Sequence, residues 1–422
     1  MFTSFSTALS ALNATSTAID VVGNNLANMN TPGFKTSEVC FLDLVSQSLG
    51  TGQGNTQVGF GTGQPLTVRE FTQGAIQTSA GPLNAAIQGD GFFVVNDAFG
   101  NPLYTRAGNF IADSTGNLLT ETGDKVQGWT TIDAATGLVN TNGPIGNIIL
   151  PVGNLKPPIA STAFTIDFNL NSTAAADSTS NFTTPLTVYD SLGTTHVLTL
   201  SFQKTGANQW SYSVALPGAE VTGGTAGTPF DISGASGTLA FDSNGRLTGP
   251  AVGSPINFSI PGLSDGASDM NLNWNPYNSD GSGRITQFGQ PSASSASAQN
   301  GAGAARLIHV GLADGGGILA QYSDGTQLTV GQLALASVRN PDTLMAAGNN
   351  NYQLSRRTAT PSIGVPGTGG RGTVLGGSVE ASTVDIATEF TSLIVYQRGY
   401  EANAHVITVA DQLSQDTINL IH

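Results

Sequence analysis

Several stretches of this 422-residue chain have residue types and spacings that could do chemistry. Gly367-Thr368-Gly369-Gly370-Arg371-Gly372 fits the G-x-G-x-x-G count of a dinucleotide-phosphate loop. Such a loop needs a strand before it and a helix opening at its end. Here it follows Pro361 to Pro366 with neither, so it reads as a flexible hinge loop. Asn278-Ser279-Asp280-Gly281-Ser282-Gly283 has the opening of a calcium loop but not its later Glu, and reads as a solvated turn. His196, His309, His405 and His422 are scattered, with no His-x-x-x-His pair and no acid at ligand spacing, so no metal is expected. No G-x-S-x-G elbow marks a nucleophile among the serines. The lone Cys40 can form neither an intrachain disulfide nor a Cys-x-x-Cys pair. The expectation is a non-enzyme with no catalytic residues, cofactor or metal.

Charge narrows the partners. Lys+Arg 14 against Asp+Glu 28 gives a net charge of -14, which leaves no basic field for nucleic acid or anionic lipid. No apolar run approaches the roughly 20 residues that span a bilayer, so membrane insertion is not expected. The opening Met-Phe-Thr-Ser-Phe-Ser-Thr-Ala-Leu-Ser has no cationic region and its apolar residues are spaced. No cleaved signal peptide is expected, and export would need another route. At roughly 150 residues per domain the length suggests two to three units. Charged residues are only 10% of the chain, and Gly is abundant at 54 residues.

The elements that must position these side chains differ sharply along the chain. Phe5, Leu9, Leu12, Ser16, Ile19, Gly23 and Leu26 step by fours and threes, which predicts an N-terminal helix with one apolar seam. Asn28 to Gly33 should end it, because Pro32 lacks a donor and pushes Thr31 out of helical geometry. At the other end, Ser382 and Asp385 read as a capping box. Ile386, Phe390, Leu393, Gln397, Tyr400, Ala404 and Ile407 then repeat the same stepping, continued by Leu413 and Leu420. From about Gly50 to Gly377 the text is short β-branched and aromatic runs broken by Gly, Asn, Asp and Pro, as in an all-β meander. Asp113 to Leu118, Asp242 to Leu247 and Ser323 to Leu328 share a turn chemistry with Gly where positive φ is needed.

The fold expected is mixed and mainly β, with an inner discontinuous β domain and an outer inserted one. Paired terminal helices would form a coiled-coil-like axial segment. The expected boundaries are 1–30 plus 382–422 for the helices, 31–71 plus 358–381 for connecting segments, 72–145 plus 287–357 for the inner domain and 146–286 for the outer. Bare seams must be covered, either by the two helices and further copies of the chain, or by folding back onto the β domain. Tyr400 and Phe390 read as core residues of such a helix pair. Phe34 and Lys35 could form an export or chaperone contact, but Phe34 reads more simply as a plug beneath the first helix.

Particular motifs then carry a family resemblance. Gly23 to Lys35, with Asn25, Asn28, Thr31, Pro32, Gly33, Phe34 and Lys35, resembles the N-terminal signature of bacterial flagellar rod and hook proteins. Val384-Asp385, Glu389-Phe390 and Tyr396 to Ala404, including Gln397 and Arg398, resemble that family's C-terminal helix. Gly89 to Val95 and Tyr104 to Phe110 resemble its inner domain. The insert and Leu186 to Gly193 resemble the hook members more than the shorter distal rod members. Thr383 stands where the family often has Asn.

The resemblance implies a structural subunit that self-assembles into a curved hollow tube, a flexible joint carrying torque between rod and filament. It also implies export unfolded through the type III apparatus. The implied contacts are other copies of the chain and the rod, hook cap and hook–filament junction proteins, outside the cell. A distal rod protein is the alternative within the family. A secreted β-rich adhesin would explain the Gly-rich strands but not matched seams at both ends.

Overall fold

The computed structural model describes residues 2–44, 47–48, 57–133 and 136–419. The chain is mainly β, with α1 at Phe2–Ala27 and α2 at Ile386–Asn419. Their 26 and 34 residues make rods of about 39 and 51 Å at 1.5 Å per residue. Asp385 caps α2, its Oδ1 accepting from the backbone N–H of Ala387 at 2.8 Å and Thr388 at 3.0 Å. The capping box expected from Ser382 does not form. Ser382 lies too far upstream, and its Oγ instead accepts from Val384 N.

Two compact units divide the chain. The first holds Met1–Val152, His309–Gln321 and Gln327–His422, so the helices and the inner β domain belong together. Its central strand, Phe92–Asn96, pairs antiparallel with Pro102–Thr105 and Lys125–Trp129. Successive side chains of a strand point to opposite faces. Phe93 and Val95 accordingly enter one core with Ile87, Leu118 and Leu335, while Phe92 and Val94 enter another with Tyr104 and Tyr352. The continuous apolar run Phe92 to Val95 is thus a strand covered on both sides.

The second unit runs Gly153–Ile308 with Tyr322–Thr326 added. These limits differ from the expected 146–286, and pairing explains both shifts. Gly146–Asn147 pairs with Lys125–Trp129, and Ile148 and Leu150 are buried in the first unit's core. Ile285–Phe288 and Ala293–Gln299, the latter expected in the inner domain, flank Ala163–Asn171 in parallel and antiparallel pairings. A second sheet runs in the order Asn181–Tyr189, Thr195–Gly206, Gln209–Pro217, Pro229–Phe241, Leu247–Gly249. Inward residues from both sheets, such as Phe164, Phe168, Phe202, Trp210 and Trp274, share one core.

Four hairpins use one turn, Asp-x-x-Gly-x, beginning at Asp97, Asp113, Asp190 and Asp242. In each the Asp N–H donates to the carbonyl four residues on, at 2.9–3.1 Å. The Asp Oδ1 accepts backbone N–H groups inside the loop, and the Gly sits at positive φ. Sequence reading found two of these, at Asp113 and Asp242, and missed those at Asp97 and Asp190.

Candidate functional site

The terminal helices run antiparallel, since Asn25 of α1 meets Glu389 of α2 while Thr15 lies against Gly399. The face of α1 that packs is Ala8, Ala11, Thr15, Ala18, Val22 and Asn25, again stepping by threes and fours. All but Ala11 are buried, and Ala18 is fully so. Opposite it α2 turns Glu389, Ser392, Tyr396, Gly399, Asn403 and Ala410 inward, all buried or half-buried. The small side chains of the α1 face, with Ser392, Gly399 and Ala410 on α2, let the two helices approach closely. A Cβ at Gly399 would already touch Thr15 Cγ2 at 3.6 Å.

This seam is rotated from the one that the large apolar residues trace. Phe5 and Leu9 are exposed, at 43% and 45%, whereas Leu12, Ile19 and Leu26 are half-buried. On α2, Ile386, Phe390, Tyr400 and Leu413 are exposed, and Leu393 and Ile407 are half-buried. Leu420 lies outside the described residues. Gln397 and Arg398 face solvent, Arg398 pairing only with Glu401 on its own helix. The helix pair therefore closes through small residues and leaves a row of large apolar ones open.

Below the helices the N-terminal motif builds a buried junction. Asn28 Nδ2 donates to the Asn24 carbonyl and its Oδ1 accepts from Thr31 Oγ1, which closes the end of α1. The carbonyl of Pro32 accepts from Asn350 Nδ2 at 3.0 Å. Gly33 has φ +70°, and a Cβ there would fall 2.6 Å from Ala107 N, so only Gly fits. Its N–H donates to the Glu380 carbonyl at 2.8 Å. Phe34 is buried at this junction, and Lys35 is fully buried beside it.

Lys35 Nζ donates to Glu380 Oε1 at 2.6 Å and to the Thr72 carbonyl. Glu380 Oε1 also accepts from Gly74 N at 2.7 Å, while its Oε2 faces Arg106 Nη1 at 3.4 Å. Burial pushes the Lys35 ammonium below its ordinary pKa, against the raising effect of the Glu380 charge and hydrogen bond. Two further ties lie nearby. Thr383 Oγ1 accepts from Thr36 N at 2.9 Å. Asn25 bridges Ser37 and Glu389, accepting from Ser37 N at 3.1 Å and donating to Glu389 Oε1 at 2.9 Å. Three of these ties, Asn25–Glu389, Lys35–Glu380 and Thr36–Thr383, join residues more than 340 positions apart.

Glu389 gives this joint a pH dependence. Burial raises its pKa, with Glu38 and Asp385 adding to the rise, and the Asn25 hydrogen bond only partly offsets them. A carboxyl raised on folding favours the protonated state, so its support is full below the unfolded value, about 4.3, and falls as pH climbs through the raised one. Glu389→Gln keeps the acceptor for Asn25 and mimics the protonated acid. It should raise the melting temperature at pH 7, with the gain vanishing toward pH 4. A Gln variant that melts lower than the parent at pH 7 would show that the charge itself is needed.

At the junction Lys35 and Arg106 face Glu380, while the open face of the helices carries large apolar side chains. Comparison with known proteins gives the arrangement its family. Residues 5–35 match the flagella basal body rod protein family and residues 375–420 the flagellar basal body rod FlgEFG protein C-terminal family. These place the helical ends in the class of flagellar rod and hook structural proteins. Residues 86–167 match the flagellar hook protein FlgE/F/G D1 domain, and 154–302 the flagellar basal body protein FlaE D2 domain.

The chain is 32% identical over 448 residues to the flagellar hook protein FlgE of Borreliella burgdorferi, covering 100% of both. It is 32% identical over 463 residues to that of Treponema pallidum, again covering 100% of both. With the hook protein of Escherichia coli K12 identity is 30% over 426 residues, covering 99% of each. The chain belongs to the flagellar hook protein FlgE family and is a structural subunit of the hook. A crystal structure of Helicobacter pylori flagellar hook protein FlgE2 shares the fold, with TM-score 0.50 and 13% identity over 71% of this chain and 99% of that one.

Proposed function

We propose that this subunit polymerises through the open apolar rows of α1 and α2, adding copies of itself into a curved hollow tube that joins rod to filament. The observation that carries this is the division of labour on the helices. Small residues satisfy the contact within the chain, while Phe5, Leu9, Phe390 and Tyr400 remain exposed. Each large side chain covered by a neighbour contributes about 1.5–3 kcal/mol. Exposed Phe41, Leu42 and Phe60 lie in the segment whose Ser37–Cys40 and Leu66–Arg69 strands pair, and they extend the sticky surface beyond the helices. The weakly charged, Gly-rich β surfaces suit a joint that bends, since few salt bridges fix one register between neighbours. Export through the type III apparatus to the cell exterior, and contacts with rod, hook cap and hook–filament junction proteins, complete the reading.

Removing residues 1–30 and 382–422 tests it. The shortened chain should remain a soluble monomer with its β signal in circular dichroism, under conditions in which the full chain sediments as polymer. Sedimentable polymer from the shortened chain would move the assembly surface to the β units and sink the proposal.

A further inference from the structure

The second unit carries a side-chain cluster that the helical assembly does not use. Asp190, in one of the Asp-x-x-Gly-x turns, is fully buried, and His196 at the start of the next strand is nearly so. Glu220 lies in the short turn after Gln209–Pro217, and Asp265 in the loop between Ile256–Ile260 and Met270–Trp274. These loops are sewn together, Ser264 N donating to the Glu220 carbonyl at 2.9 Å and Ser268 N to Ser191 Oγ at 3.0 Å.

Asp190, His196 and Asp265 converge on one point. Asp190 Oδ1 is held by the N–H groups of Leu192 and Thr194, at 2.8 and 2.9 Å, which leaves Oδ2 facing His196 Nε2 at 3.1 Å. Asp265 Oδ1 is likewise held by Ala267 N at 3.0 Å, and its Oδ2 lies 4.0 Å from the same nitrogen. Glu220 Oε2 sits 2.7 Å from His196 Nδ1, on the far side of the ring. A carboxylate on Nδ1 fixes the tautomer that presents the Nε2 lone pair, the arrangement found behind metal-bound histidines. Asp190 Oδ2, His196 Nε2 and Asp265 Oδ2 can each offer one ligand atom, all within 4.8 Å of one another. Ligands about 2.0–2.2 Å from a tetrahedral zinc ion are about 3.3–3.6 Å apart. Among the described residues no Lys or Arg pairs with these three acids, and a His196 ring nitrogen lies within 4.0 Å of each of them. Three carboxylates around one imidazole leave a local deficit of positive charge.

We propose that Asp190, His196 and Asp265 form a divalent transition-metal site of the zinc type, with Glu220 orienting the imidazole and solvent completing the shell. Imidazole with carboxylate oxygens suits zinc, copper and nickel, whereas calcium and magnesium take oxygen ligands throughout. Zinc would tie the 190–194 turn to the loop at Asp265 and stiffen that end of the second unit. Sequence spacing could not show these acids beside His196, because they come from sequence distances of 6, 24 and 69 residues.

Zinc chloride titrated calorimetrically into the EDTA-treated, dialysed full chain tests the assignment, with calcium chloride run in parallel. One Zn²⁺ per chain is expected, with affinity reduced at least tenfold in Asp265→Asn and lost in His196→Ala. The melting temperature of the parent should rise on adding Zn²⁺, and that of Asp265→Asn should rise less. Asp265 is on the surface and Asn keeps the oxygen that Ala267 holds, so this variant decides the matter even if His196→Ala fails to fold. Substoichiometric binding by the parent, equal binding by Asp265→Asn, or binding of Ca²⁺ in place of Zn²⁺ would each overturn the site.

Discussion

Replacing Lys35 by Met should destabilise the first unit by about 3–5 kcal/mol, the usual cost of stripping one partner from a buried ion pair. At about 2–4 °C per kcal/mol for a unit of this size, the melting temperature falls by roughly 10 °C. Lys35 and Glu380 are both fully buried. With the ammonium gone, the Glu380 carboxylate keeps Gly74 N and a 3.4 Å contact to Arg106, and water cannot reach it. The double variant Lys35→Met with Glu380→Gln should recover part of the loss, because it removes the stranded charge. Lys125→Met, at an exposed lysine, is the control and should shift melting by less than about 0.5 kcal/mol. A Lys35→Met loss no larger than this control would show that the junction does not depend on the pair.

The second large effect separates folding from assembly. Leu9→Glu combined with Phe390→Glu places charge on the open apolar rows, at side chains 45% and 52% exposed. The monomer should melt as the parent does, while polymer recovered by sedimentation falls at least tenfold. Ala18→Leu should do something different. Ala18 is fully buried between the helices, and overpacking there costs about 1–3 kcal/mol in the monomer itself. If the double Glu variant pellets like the parent, the open rows are not the assembly surface.

These two experiments divide along the line between what was and was not legible in the sequence. The end of α1 could be read, because Pro32 acts locally through a missing donor, whereas the cap of α2 was placed on Ser382 and is Asp385. The mainly β middle followed from turn residues and short apolar runs, while the two-sided burial of Phe92 to Val95 emerged only with the strands packed on both faces. The helix seam was misjudged by a rotation. Large residues dominate a periodicity search, yet the contact is made by Ala8, Ala11, Thr15 and Ala18, whose merit is smallness. The buried junction was visible only as a family motif. Lys35 and Glu380 are 345 residues apart, and no spacing rule links them. His196 was dismissed for the same reason, since its acids arrive on loops that meet only after the sheets pair.

The junction also sets an order of events for a chain made from its N-terminus. Asn25 and Lys35 must wait for Glu389 and Glu380, so α1 lacks its anchor until nearly the whole polypeptide has been delivered. The second unit can form earlier from nearer neighbours, whereas the first unit must wait for its strands near residues 335 and 373–380, and this clasp closes with them. A molecule cut short before residue 380 would carry its N-terminal arm unlatched, with Asn25 and Lys35 lacking the carboxylates that hold them.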